Sequence, residues 1–235
     1  MTTHYKEKAK CAVCRTETEY TGIASTNSFG SPDIDTRPPQ MKRSTMFAWV
    51  QRCPECGYCA SDVSKATSQV ASMVHSSEYI RQLADSSYPE LANSFLCKAL
   101  VDEISSDYAG ATWSLIHAAW ACDDAHRDGP AKICRSNAVG MIRKAIDFGQ
   151  KIADQVGLET AIQVDLLRRV GRFSEAKKLI QTQRDTITED IILNILTFQE
   201  TLIASEDETC HTISEALPAQ ITPVVEPKKK WWKIW

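Results

Sequence analysis

No run of about 18 apolar residues occurs in the 235-residue chain, so no membrane-spanning helix is expected. The most apolar helical stretch, Ala109 to Cys122, is too short to span and contains His117. It reads as a buried core helix. An apolar h-region is missing from the opening MTTHYKEKAK, so no signal peptide is expected. A dominant charge is missing too. The formal net charge is −3, which gives no global basic field to argue for nucleic acid. G-x-S-x-G, Walker A, H-E-x-x-H and a glycine-rich dinucleotide turn are all absent from the sequence, so no residue set proposes a reaction. The reading therefore leans away from an enzyme. His75, His126 and His211 make no ligand spacing with one another.

An even disulfide framework is lacking as well. Nine cysteines are present, an odd count, and four of them form two C-x-x-C pairs. That pattern points to metal binding in a reducing cytoplasm. Cys11-Ala-Val-Cys14 and Cys53-Pro-Glu-Cys56-Gly57 are separated by 38 residues. Two such turns facing each other make a tetrahedral four-thiolate zinc site. Gly57 falls where a knuckle bends back and favours positive φ. Arg15 stands at the corresponding place of the first pair. Four thiolates close the coordination shell, so the zinc is read as structural rather than catalytic. Structural zinc can contribute on the order of 10 kcal/mol to the folding of a small polar segment. Cys59 is the spare, a small buried residue at the junction with the helices. Cys97, Cys122 and Cys134 lie on predicted helices and read as buried small hydrophobes.

Three zones differ in texture. Residues 1–60 carry the zinc ribbon with its long inserted loop, and short β-prone runs at Glu19–Ile23 and Thr45–Gln51. Residues 61–204 carry helical periodicity, with helices expected near 62–84 (interrupted around His75–Ser77), 88–105, 108–125, 130–153, 158–170, 174–184 and 187–204. Asp128 is expected to cap one helix, Thr186–Glu189 to form a capping box, and Gly157 and Gly171 to mark helix stops. Residues 205–235 read as a flexible linker with a Lys/Trp-rich tail. The fold class is mainly α with a small β zinc ribbon.

The stretches STNSFGSPDIDTRPP and RCPECGYCASD resemble a group of uncharacterised prokaryotic proteins that join an N-terminal zinc ribbon to a tetratricopeptide-like helical region. The resemblance covers roughly residues 11–62. It implies a fold and a metal and supplies no established activity. Members commonly have alanine at the position of Cys59 and a proline and a glycine around the first cysteine pair, where this chain has Ala12 and Arg15. In the helical region, AIQVDLLRRVGRFSEAKKLI looks like the middle of one tetratricopeptide repeat, with no clean self-similarity at about 34 residues. A helical-hairpin array follows, of the kind that binds partner proteins in a groove.

Three further features bear on function. Asn27, Asp33, Asp35 and Arg37 concentrate in the ribbon loop. They read either as turn caps with Arg37 paired to a carboxylate, or as a recognition loop. Trp113, His117 and Trp120 share one helix face, as core or as groove lining. Lys228, Lys229, Lys230, Trp231, Trp232, Lys233 and Trp235 form the tail, for which three readings compete. It docks on its own helices, binds a protein partner, or anchors peripherally at the inner face of the membrane. The function expected is a non-enzymatic, cytoplasmic zinc-binding adaptor for protein partners. Two alternatives stand beside it. One is a nucleic-acid binder using Arg15, Arg37, Lys42, Arg43 and Arg52; the other is a thiol redox sensor using Cys53, Cys56 and Cys59.

Overall fold

The computed structural model describes residues 1–218. It is mainly helical, with a small antiparallel sheet beside the N-terminal cysteines. Strands β1 (Thr3–Lys10) and β2 (Glu17–Ser25) form one hairpin; β3 (Gln51–Arg52) and β4 (Cys59–Ala60) form a second, minimal one. β1 departs from expectation. Its alternation is of charge (His4, Lys6, Lys8, Lys10) rather than of apolar residues, because that face of the hairpin stays in water. Its lysines lie across from Glu19 and Glu17. Thr45–Gln51, expected as a strand, is largely a 3-10 turn over Arg43–Ala48. The Thr45 hydroxyl donates to the Lys42 carbonyl at 2.7 Å and accepts from Trp49 Nε1 at 3.1 Å, closing the chain locally.

The helices are α1 (Ser68–Val74), α2 (Ser77–Leu83), α3 (Glu90–Ile104), α4 (Tyr108–Asp124), α5 (Asp128–Asp147), α6 (Leu158–Arg169), α7 (Phe173–Gln183), α8 (Asp190–Ala204) and the short α9 (Ile213–Ala216). The first begins at Ser68 rather than 62. Asp62 is engaged in a turn, taking the Ser64 N–H at 3.0 Å, and Thr67 then caps α1 through the Val70 N–H. The break expected near His75–Ser77 separates α1 from α2, with Ser76 capping the second. α5 ends at Asp147 rather than 153. Gly149 takes φ +70°, and Gln150 N–H returns to the Ala145 carbonyl at 2.8 Å, a left-handed termination. Gly157, expected as a stop, instead precedes α6 at φ +79°, with Ile187 packed where a side chain would stand. Glu189 starts α8 with no side-chain cap; the capping box lies at Thr212–Glu215. Asp128 sits inside the first turn of α5 rather than capping it.

α4 is the centre of the core. α3 packs on one side and α5 on the other, which explains why it is apolar nearly all round. Phe95, Ile116, Trp120, Ile142 and Leu166 are fully buried there. Residues 205–218, read from sequence as the start of a linker, fold back onto the ribbon loop. Asp33 bridges Thr212, Ile34 N–H donates to the His211 carbonyl, and Ile213 N–H donates to the Pro32 carbonyl, each of the last two at 2.9 Å. The tail from Lys228 to Trp235 lies outside the described residues. Among those described, no helix is long and apolar enough to cross a membrane.

Candidate functional site

The two knuckles are the turns of the two hairpins. Cys11–Thr16 joins β1 to β2, and Cys53–Tyr58 joins β3 to β4. They repeat one another bond for bond. Cys11 N–H donates to the Thr16 carbonyl at 2.9 Å, and Cys53 N–H to the Tyr58 carbonyl at 2.8 Å. Arg15 N–H donates to the Cys11 carbonyl, and Gly57 N–H to the Cys53 carbonyl, both at 2.9 Å. Arg15 has φ +69° and Gly57 φ +72°. Geometry therefore makes the same demand at both places, and only one has the residue suited to it.

The sulfurs of Cys11, Cys14, Cys53 and Cys56 all lie within 4.8 Å of one another, the only such group of potential ligands among the described residues. Contacts run across the turns: Cys11 Sγ to Cys56 Sγ is 3.7 Å and Cys14 Sγ to Cys53 Sγ is 3.5 Å. A tetrahedron with metal–sulfur bonds of about 2.3 Å has edges of about 3.8 Å. Two of the contacts are close to that edge, and the four cysteines could hold a metal ion. Their protonation is divided. Burial pushes the Cys53 and Cys56 thiols up, while the Thr16 side chain and backbone hydrogen bonds lower Cys14 to about 6. Were all four ionised, thiolates this close would need a cation between them.

Cys59 is not in the cluster. It is fully buried, its thiol donates to the Gly57 carbonyl at 3.2 Å, and its N–H donates to the Tyr79 hydroxyl at 2.9 Å. Tyr79 in turn donates to the Gly57 carbonyl at 3.0 Å, so α2 holds the second knuckle from behind. Leu83 of α2 covers Gly57 so closely that a Cβ there would meet its Cδ2 at 2.2 Å.

The ribbon loop departs from the recognition reading. Asp33, Asp35 and Arg37 are buried; Asn27 alone of the four is exposed. Asp35 accepts from Trp120 Nε1 at 2.7 Å and pairs with Arg169 at 3.4 Å. Arg37 lies over the C-terminal end of α4. It donates to the Trp120 carbonyl at 3.1 Å and pairs with Asp124 at 2.5 Å, where a cation suits both the open carbonyls and the helix dipole. Asp123, at the end of α4, accepts from Arg135 and from Arg169 (3.0 Å). Burial opposes its ionisation, yet Arg135, Arg169 and Arg37 hold its carboxyl below the ordinary range. The loop is thus a plug of paired charges seated in the helical body. Arg43 is tied to Asp33 at 2.8 Å and Arg52 to Glu90 at 3.2 Å. Of the five basic residues offered for nucleic acid, Arg15 and Lys42 alone are left fully exposed.

Trp113, His117 and Trp120 belong to an aromatic cluster that Trp49 and Phe95 complete, with ring centroids 5.0–5.9 Å from His117. Burial lowers the imidazole to about 4. Trp49 comes from the ribbon, so the cluster is also part of the junction.

Two surface grooves adjoin these contacts, and sequence reading located neither. One, of about 910 Å³, separates β2 from the segment Phe47–Arg52. The other, of about 530 Å³, lies between α3 and α5, floored by Leu96, Leu100, Leu115 and Met141. Each joins residues far apart in sequence, which no local pattern signals. No family model, curated protein or solved structure matches the chain.

Proposed function

We propose that the chain is a zinc-stapled scaffold for a protein partner. The ion is Zn²⁺ on Cys11, Cys14, Cys53 and Cys56. Its part is structural, because four thiolates leave no position for substrate. The helices act as a tetratricopeptide-like array whose α3–α5 groove receives an extended segment with apolar side chains. The observation that carries this reading is the plug. Buried Asp35 and Arg37 join ribbon and helices into one rigid support, and a groove with an apolar floor lies open on that support. Charges at its rim, Glu103 and Lys144, already pair with each other at 2.8 Å, so apolar contact would select the ligand.

Gly140 of α5 lines this groove, and a Cβ there meets nothing within 4 Å. Gly140→Arg should fill the groove while relieving a helix-interior glycine worth about 1 kcal/mol. The experiment is crosslinked capture from the native host with wild-type and Gly140→Arg full chains, with thermal melts in parallel. A partner that wild type retains and the equally stable variant loses supports the scaffold reading. The same partners on both would sink it.

A further inference from the structure

We propose that the partner's segment crosses α5 at Gly140 and enters a second groove beyond it, placing an apolar side chain in the α3–α5 groove and a carboxylate beside Lys178 in the second. The inference rests on the scaffold reading and names the chemistry of its ligand. That ligand is an extended peptide with Asp or Glu about three positions from an apolar residue.

The second groove, of about 320 Å³, lies between α5 and α7, and Leu167 of α6 helps to line it. α5 is the wall it shares with the α3–α5 groove. Ser136 and Gly140 line the α3–α5 groove, and Arg143 lines the second. These three stand at i, i+4 and i+7, in one row along the helix. That row is the crest between the grooves, and Gly140, which has no side chain, is its lowest point. Nothing in the fold asks for glycine there. Gly140 is exposed, its φ is not positive, and an added Cβ would meet no atom within 4 Å. A glycine inside a helix weakens it relative to alanine. What it permits is the close approach of another backbone. An extended chain can therefore pass over α5 from one groove into the other.

The two grooves differ in charge. Glu175 is the carboxylate that lines the α5–α7 groove, and it is already engaged. Arg172 donates to both of its oxygens at 2.6 Å, and Arg143 approaches at 3.3 Å. Lys178 lines the same groove, is exposed, and makes no ion pair among the described residues. This groove therefore offers a ligand a free cation. The α3–α5 groove offers the reverse. Its Lys144 is held by Glu103 at 2.8 Å, while Glu78 at its α2 side is exposed and has no ion-pair partner among the described residues. A carboxylate is repelled there and attracted at Lys178, which fixes the direction of the segment. The spacing follows from the helix being crossed. An α-helix with its side chains is about 10–12 Å wide, and an extended chain covers about 3.3–3.6 Å per residue. About three residues thus separate the apolar side chain from the acidic one.

The test selects phage-displayed random peptides on the full chain, keeps those that Gly140→Arg loses, and measures their synthetic forms by fluorescence anisotropy at low salt. The retained peptides should carry Asp or Glu about three positions from an apolar residue. Lys178→Glu should weaken them roughly fivefold, and that loss should vanish when the peptide's acidic residue is replaced by alanine. Gly140→Ala should melt higher than wild type and yet bind these peptides more weakly, two changes of opposite sign that a merely structural glycine would not give. Peptides lost by Gly140→Arg but indifferent to Lys178→Glu overturn this inference and leave the scaffold reading standing. Binding by Gly140→Ala as tight as wild type overturns the crossing in the same way. If no selected peptide is lost by Gly140→Arg, the inference falls together with the reading it rests on.

Discussion

Arg15→Gly should stabilise the protein. Arg15 holds φ +69° at the bend of the first knuckle, where its counterpart Gly57 holds φ +72°. For a residue with a Cβ, the left-handed region costs roughly 1–2 kcal/mol. Glycine removes that cost but loses about 0.5–1 kcal/mol more backbone entropy on folding. Arg15 is exposed and makes no ion pair among the described residues, so its side chain forfeits little. The net expectation is a gain of about 0.5–1 kcal/mol. Urea unfolding with zinc in the buffer reads it as a higher midpoint at unchanged slope. The reverse change at the matching position has a different origin. Gly57→Ala adds a clash with Leu83 to the same backbone strain, and should destabilise by more than Arg15→Gly gains. A midpoint for Arg15→Gly at or below wild type would refute the claim that this knuckle is strained.

Three further outcomes are expected. Purified chain should carry one Zn²⁺, and Cys53→Ser should abolish tight binding, read by metal analysis and by chelator competition. Asp35→Asn should cost about 3 kcal/mol by denaturant unfolding, because it weakens a buried charge cluster while Arg169 and Trp120 Nε1 remain in place. His117, lowered to about 4 by burial, favours the neutral form in the folded state. Its contribution is complete above about pH 6.5 and is lost as pH falls toward 4. His117→Phe should therefore flatten the stability profile between those values relative to wild type; parallel profiles would contradict a buried neutral imidazole.

The cysteine cluster was legible because each knuckle is local: two sulfurs three residues apart, and one glycine that marks the bend. Helix positions were legible through periodicity, but ends such as Asp147 and Ser68 are set by single hydrogen bonds at Gly149 and Thr67 that periodicity does not register. β1 was hidden because a strand with a wet face shows no apolar alternation. The loop's residues were singled out correctly as unusual, yet whether Asp35 and Arg37 face solvent or core depends on Arg169 and Asp124, far along the chain. A cluster of charges reads the same in sequence whether it is a binding surface or a buried plug. Only the partners' positions distinguish the two.

The plug also orders events during synthesis. Asp35 and its partner Arg169 are 134 residues apart. At about 5–20 residues per second, roughly 7–27 s pass between their emergence from the ribosome. For most of that interval, once residue 60 has been made, both hairpins and all four cysteines are present, so a metal ion could close the knuckles early. The loop between them must wait, with its carboxylate and guanidinium in water. The N-terminal unit therefore has all four of its candidate metal ligands early, yet is among the last to acquire its final shape. Any premature stop before α6 would leave Asp35 without Arg169, and the loop seated only on Trp120 and Asp124 of α4.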